Sequence, residues 1–213
     1  MHLTIPGPAG PLEAILERPR DSGNGLHVAP RAGVVFAHPL PTHGGTMHTK
    51  AVFQGAKGLV RAGCVVLRFN FRGVGTSAGA FDEGRGEADD YRAALDFMQS
   101  RVPSVPLWAA GFSFGSWVAL ETGAVDPRVT VLIGIAPPVT RYAFVNTLET
   151  AKPKFLVQGD LDELCPIKET WAFYAKLKEP KELAVIDGAN HLFEGKTAEV
   201  GETLEDLLRD FDA

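Results

Sequence analysis

The residue types needed for acyl transfer by a serine nucleophile are all present in the second half of the chain. A serine hydroxyl is a weak nucleophile and needs a base within hydrogen-bonding reach. The imidazole of a histidine takes up and returns protons near neutral pH, and a neighbouring carboxylate can orient the ring and stabilise its charged form. The candidates for these three roles are Ser113, His191 and Asp162. This combination predicts an acyl-enzyme on Ser113, with His191 acting first as base and then as acid.

The assignment of the nucleophile depends on the turn that contains Ser113. The stretch Gly111-Phe-Ser-Phe-Gly115 matches the pattern G-x-S-x-G. In that pattern a serine occupies a strained corner between a strand and a helix, and small neighbours let the two arms pass closely. The following backbone N–H groups, at the helix N-terminus, point at negative charge beside the serine, so the N–H of Phe114 is a predicted oxyanion donor.

Strands and helices that alternate along the chain predict the sheet that positions these residues. The first two strands, over residues 3–5 and 12–18, flank a turn rich in glycine and proline and form a predicted antiparallel edge hairpin. Residues 19–32 form a predicted surface loop. Later apolar runs bounded by turn residues are typical of strands buried on both faces of a parallel sheet. We predict such strands over residues 33–37, 64–69, 105–110, 129–135, 154–158 and 182–186, and helices over 48–61, 87–100, 114–122, 142–149, 167–178 and 195–211.

The predicted fold class is therefore α/β, with one domain over residues 1–213, a mostly parallel eight-stranded sheet and helices on both faces. Ligands bind at the carboxyl ends of the strands in such sheets. Ser113, Asp162 and His191 all follow predicted strands, so the fold is expected to bring them to one edge. Asp160 follows the same strand as Asp162, and strand-end geometry alone leaves both as candidates for the acid.

Composition and charge exclude several classes of protein. The net charge of −5 and the pI near 5.7 provide no basic surface for nucleic acid or an anionic membrane. The N-terminal segment lacks the basic and apolar regions of a leader, so we expect a cytoplasmic protein. Two cysteines are too few for a disulfide framework.

Three histidines, His38, His43 and His48, recur at five-residue intervals, which fits neither one helix face nor a known ligand pattern. We therefore expect no metal and no cofactor.

The order of the three candidate residues is that of a known superfamily. Ser113, Asp162 and His191 follow one another in the order of the α/β-hydrolases. The chain resembles that superfamily along essentially its whole length, through the serine turn, through Gly159-x-x-Asp162 and through Gly188-x-x-His191. It is most similar to the small lidless serine hydrolases related to dienelactone hydrolase and to short-chain carboxylesterases. Dienelactone hydrolases carry a cysteine where this chain has Ser113, which argues against a dienelactone substrate.

The resemblance implies roles for further residues. The spacing within the family favours Asp162 over Asp160 as the acid. The loop His38-Pro39-Leu40 is similar to the oxyanion-side loop of the group, so the N–H of Leu40 is a second predicted oxyanion donor. His38 is expected to hydrogen-bond within this loop and His43 to lie at the pocket rim. His38, His43 and Phe112 are the candidate pocket residues.

The resemblance also bears on the substrate. Only residues 136–153 separate two predicted strands at the place where lids are commonly inserted, which leaves no room for a cap domain. An open, shallow pocket favours a small or short-acyl ester as the substrate. Two alternatives stay open: a thioesterase or small-amide hydrolase with the same three residues, and a binding protein that keeps the fold without catalysis. Nothing in the sequence indicates an oligomeric state.

Overall fold

An eight-stranded sheet forms the centre of the molecule in a computed structural model that describes residues 1–19, 29–209 and 211. The strands are β1 (His2–Ile5), β2 (Leu12–Glu17), β3 (Gly33–Ala37), β4 (Val65–Phe69), β5 (Leu107–Phe112), β6 (Val129–Ile135), β7 (Lys154–Gly159) and β8 (Lys181–Ile186). Their order across the sheet is β1-β2-β4-β3-β5-β6-β7-β8. The hairpin of β1 and β2 is antiparallel and joins β4 antiparallel, and every later pairing is parallel. The predicted fold class is confirmed.

In the described part of the chain, six α-helices cover the two faces of this sheet. They are α1 (Lys50–Arg61), α2 (Arg85–Arg101), α3 (Phe114–Val125), α4 (Val145–Glu149), α5 (Ile167–Tyr174) and α6 (Thr197–Arg209). The core on one face joins α1 and α6 to the sheet, and the core on the other joins α2, α3 and α5 to it. Burial of apolar area on both faces is the main stabilising contribution to such a three-layer arrangement.

The central strands owe their position to their apolar runs. Every residue of β3, β4 and β5 is buried, as expected for parallel strands covered on both faces. Strand β8 lies at the sheet edge, and only its last residue, Ile186, is fully buried. Residues 20–28 of the predicted surface loop lie outside the described residues. Within the described ranges, no helix is both long enough and apolar enough to cross a membrane.

A buried tyrosine connects the two strands that lead into the serine turn and the His38 loop. The hydroxyl of Tyr91, on α2, donates a hydrogen bond to the carbonyl of Val35 on β3 at 2.7 Å. The same hydroxyl accepts from the backbone N–H of Ala110 on β5 at 3.1 Å. Because β3 precedes His38 and β5 precedes Ser113, this bridge couples the positions of the two loops.

The connection between β6 and β7 has no room for a lid. It holds only the five-residue helix α4 and short loops. The carboxyl edge of the sheet above Ser113 is therefore not covered by an inserted domain, as predicted from the length of this segment.

Candidate active site

Ser113 lies at a sharp corner between β5 and α3. Its backbone has φ 53° and ψ −123°, a conformation that non-glycine residues rarely adopt. A Cβ atom on Gly111 would overlap the backbone of Gly115, and a Cβ atom on Gly115 would overlap the carbonyl oxygen of His38. The two glycines are therefore needed for close backbone approach, the first within the turn and the second between the turn and the loop after β3.

The structure brings Ser113, His191 and Asp162 into one hydrogen-bonded chain. The Nε2 atom of His191 lies 2.9 Å from Oγ of Ser113, and its Nδ1 atom lies 2.8 Å from Oδ2 of Asp162. The Asp162 carboxylate is buried, as is the imidazole, whereas Ser113 is half-buried and faces a cavity. With Nδ1–H donated to the carboxylate, Nε2 is the acceptor that faces the serine hydroxyl.

Asp160 does not take part in this chain. Its backbone N–H donates to the carbonyl of Ile186 at 3.3 Å, and one of its carboxylate oxygens is buried without a partner in the described part of the protein. Among the described residues, the carboxylate that contacts the imidazole of His191 is that of Asp162.

Asp162 receives four hydrogen bonds. Its Oδ1 accepts from the backbone N–H groups of Leu164 at 2.9 Å and Cys165 at 2.8 Å. Its Oδ2 accepts from His191 and also from the side-chain amide of Gln158 at 2.8 Å. Gln158 was not among the residues predicted from the sequence. The available signal was a polar residue directly after the apolar run at positions 155–157 of β7, four residues before Asp162.

Two further contacts, to Phe112 and Glu163, restrict the position of His191. The ring of Phe112 lies under it, with 5.6 Å between ring centroids and an interplanar angle of 31°. The Glu163 carboxylate accepts a weak hydrogen bond, at 3.4 Å, from the backbone N–H of His191. Aromatic packing and a backbone tether restrict the ring to the orientation that meets Ser113.

The loop after β3 is held by His38, which is fully buried. Its Nδ1–H donates to the carbonyl of Pro39 at 2.7 Å, and its Nε2 accepts from the backbone N–H of Phe71 at 3.0 Å. Burial lowers the pKa of His38 to about 4, which keeps the ring neutral and able to accept from Phe71.

The bond from His38 also sets the direction of the Leu40 N–H. Carbonyl and N–H point in opposite directions across a trans peptide, so anchoring the Pro39 carbonyl turns the N–H of Leu40 away from His38. The Leu40 carbonyl accepts from His43 and Gly45 at 3.1 Å each. In the described part of the chain, neither the N–H of Leu40 nor that of Phe114 donates to another protein group.

A cavity of about 480 Å³ opens at Ser113, a volume suited to a small organic ligand. Its apolar wall includes Leu40, Phe114, Pro138, Tyr142, Leu164 and Leu192, and its rim carries His43, Thr140, Arg141 and Glu163. A wider depression of about 640 Å³ lies between the β1–β2 turn and α2. Its charged side chains are paired, Arg92 with Asp89 and Asp96 with Arg128, so we place the site at Ser113.

Two of the three candidate pocket residues lie outside this cavity, which corrects their assignment. His43 lines the cavity. His38 is instead buried against Phe71, with ring centroids 4.8 Å apart. Phe112 is the last residue of β5 and points into the core on the α1 and α6 side of the sheet. Along a strand, side chains alternate between the faces, and this alternation sends Phe112 beneath His191.

The chain matches the serine aminopeptidase S33 family over residues 29–151, more than half of its 213 residues. The protein belongs to this S33 family. The matched segment contains the Ser113 turn and ends before Asp162 and His191. As expected for an S33 serine hydrolase, solved structures of α/β serine hydrolases superimpose on almost the whole chain.

An α/β serine hydrolase homologue from Coxiella burnetii has a TM-score of 0.89 and 38% identity, and the match covers 98% of this chain and 97% of that chain. A serine hydrolase without a lid from Xanthomonas campestris also has a TM-score of 0.89, with 36% identity over 98% of this chain and 93% of that one. An uncharacterised protein of Rickettsia prowazekii (strain Madrid E) is 35% identical over 190 residues, 84% of this chain and 80% of the relative. The predicted resemblance to lidless serine hydrolases is confirmed.

Proposed function

We propose that this S33 protein is a carboxylesterase-type hydrolase that cleaves small or short-acyl esters through an acyl-enzyme on Ser113. The observation that carries the proposal is the hydrogen-bonded chain from Oγ of Ser113 through His191 to Asp162, which opens into the cavity. These distances lie within the range required for proton transfer between a nucleophile and its base.

The geometry supports a two-step reaction. Oγ of Ser113 attacks the ester carbonyl while Nε2 of His191 takes its proton. His191 then returns that proton to the leaving alcohol oxygen, so that the acyl group remains on Ser113. A water molecule repeats the sequence, losing a proton to His191, and the acid is released with Ser113 restored. Asp162 orients the ring and stabilises its charged form in both steps.

The negative charge of the tetrahedral intermediate falls on the former carbonyl oxygen. We assign its stabilisation to the backbone N–H groups of Phe114 and Leu40. Both residues line the cavity beside Ser113, and neither N–H has an acceptor in the described residues. Each donor of this kind contributes about 3 kcal/mol to transition-state stabilisation.

A small ester is favoured by the size and openness of the site. The cavity volume of about 480 Å³ has to hold both the acyl and the alcohol portions. Its wall is apolar around Leu40, Phe114 and Tyr142, which suits a short hydrocarbon group, and no lid extends the wall to cover a long chain.

Hydrolysis of a small amide is the second candidate, and membership of the serine aminopeptidase S33 family favours it. The same three residues can break either bond, because the leaving group in both cases takes its proton from His191. Comparison of amino-acid p-nitroanilides with p-nitrophenyl esters of similar size distinguishes the two activities.

An acyl-chain series tests the ester proposal. We expect kcat/KM to be highest for p-nitrophenyl acetate or butyrate and lower for octanoate. A Ser113→Ala variant should stay folded and lose on the order of 10⁴-fold or more of kcat. Activity that rises through octanoate would refute the small-acyl assignment, and retained turnover in the variant would mean that Ser113 is not the nucleophile.

A further inference from the structure

A fully buried glutamine lies directly behind the Asp162 carboxylate. Gln158 is the fifth residue of β7 and has no exposed surface. Its Nε2 atom donates to Oδ2 of Asp162 at 2.8 Å and to the carbonyl of Cys165 at 2.9 Å. The same Oδ2 accepts from Nδ1 of His191. One carboxylate oxygen therefore lies between the imidazole and the glutamine amide.

The orientation of this amide is determined by its neighbours. The three groups that face Nε2 are all acceptors, the Asp162 carboxylate and the carbonyls of Cys165 and, at 3.5 Å, Gly159, so the reversed amide would place its oxygen against other oxygens. In the orientation observed, Oε1 is buried with no partner in the described part of the chain. An unsatisfied buried acceptor costs stability, and leucine or methionine at this position would avoid that cost.

We propose that Gln158 is a positioning residue that fixes the Asp162 carboxylate for His191, an inference that rests on the proposed function. The donors to Oδ1, the N–H groups of Leu164 and Cys165, belong to the same loop as Asp162 and move with it. Gln158 belongs instead to β7, which pairs with β8, the strand that leads to His191. Gln158 thus links the carboxylate of Asp162 to the strand pair β7–β8, which leads to His191.

A bond to an oxygen that also faces His191 has two consequences. It fixes the rotation of the carboxylate about its Cβ–Cγ bond, so that Oδ2 keeps a lone pair directed at Nδ1. It also shares the negative charge of Oδ2, which keeps the proton on the imidazole nitrogen rather than on Asp162. Both effects act on the chemical step and leave substrate contacts unchanged, because Gln158 does not line the cavity.

A Gln158→Met variant tests this role because methionine has similar length and no donor. We expect kcat for p-nitrophenyl acetate to fall about tenfold, as for the loss of one hydrogen bond to a charged group, with KM unchanged within about twofold. The downfield NMR resonance of the His191 Nδ1 proton should shift as well. The control is Thr170→Val on α5, since Thr170 is also fully buried and its hydroxyl oxygen has no partner among the described residues. This control should change neither kcat nor the resonance.

A folded Gln158→Met variant with unchanged kcat and an unchanged resonance would overturn the proposal. If the variant does not fold, the wild-type protein still provides a test. A phosphonate on Ser113 removes the hydroxyl proton that Nε2 of His191 accepts and so changes the hydrogen bonding of the imidazole. The Gln158 side-chain amide resonance should therefore move on labelling, and a fixed resonance would overturn the proposal. Failure of the proposed function is recognised separately, because the wild-type protein would then neither label nor hydrolyse esters.

Discussion

The two buried histidines at the carboxyl edge of the sheet serve different purposes. His191 lies between a hydroxyl and a carboxylate, the partners expected of a group that gains and loses a proton during a reaction. His38 lies between a backbone carbonyl and a backbone N–H, which require a neutral ring with its proton on Nδ1. We infer that His38 holds the oxyanion-side loop and undergoes no change of charge during turnover.

The buried state of His38 predicts a pH dependence of stability. Its pKa falls from 6.5 to about 4 on folding, mainly because burial disfavours the charged ring. Between these two values the unfolded chain binds a proton that the folded protein does not, so stability is lost as the pH falls from 6.5 towards 4. The difference corresponds to about 3 kcal/mol in the free energy of unfolding.

Urea unfolding of the wild-type protein and a His38→Gln variant at pH 7, 5.5 and 4 measures this contribution. We expect the wild-type free energy of unfolding to fall more steeply than that of the variant across this range, by up to about 3 kcal/mol. Parallel losses in the two proteins would show that His38 does not titrate on unfolding.

Individual residues show which parts of this site could be predicted from the sequence. Strand-end geometry alone leaves Asp160 and Asp162 as candidates for the acid. The family spacing favours Asp162, and the side-chain contact with His191 agrees with that choice. Phe112 lies beneath the imidazole because it faces the opposite side of β5 from the cavity. Gln158 could not be assigned, because its role consists of contacts to residues four, seven and 33 positions away, the last of them through Asp162.

Among the elements, the serine turn depends on close approach between backbone segments. A Cβ atom on Gly115 would overlap the carbonyl oxygen of His38 and lie 2.6 Å from that of Ala37. Neither carbonyl can rotate away as a side chain can. Because α3 would be pushed from the loop after β3, a Gly115→Ala change should separate Ser113 from Leu40. We expect a loss of about 2 kcal/mol in stability and about tenfold or more in kcat.

A second glycine provides the matched control. Gly58 on α1 packs against Gly201 on α6, and a Cβ atom there would overlap the Gly201 carbonyl oxygen. Gly58→Ala should therefore cost a similar amount of stability while leaving kcat within about twofold, because this contact lies away from Ser113. Equal losses of kcat in both variants would indicate that general destabilisation is the cause and that the turn geometry is not.

The elements themselves follow largely from local patterns. Apolar runs located the central strands, because strands buried on both faces need continuous apolar sequence. The turn rich in glycine and proline located the hairpin of β1 and β2. The predicted ends of the strands and helices were less accurate than their positions. Strand β5 runs from Leu107 to Phe112, two residues later than predicted, since residues of the G-x-S-x-G pattern itself still pair with β6. Helix α5 ends at Tyr174, before the predicted residue 178, and helix α4 starts at Val145 rather than at residue 142. Strand pairing and helix packing set these boundaries, and both depend on residues that are distant in sequence.

For the molecule as a whole, the sheet order explains why residues far apart in sequence meet. Strands β5, β6, β7 and β8 are consecutive neighbours, so the loops after β5, β7 and β8 share one edge. Strand β3 lies on the other side of β5 and brings the Leu40 loop to the same place. The loop after β6 completes the cavity wall with Pro138 and Tyr142. Under the proposed function, this wall without an inserted lid limits the substrate to small esters.

The most direct test of the proposed function is mass spectrometry of the protein after reaction with a fluorophosphonate. The probe requires a nucleophile that is activated by its neighbours, so we expect one adduct per chain, located on Ser113, and none in the Ser113→Ala variant. A wild-type protein that acquires no adduct, or acquires it at another residue, would contradict catalysis by Ser113.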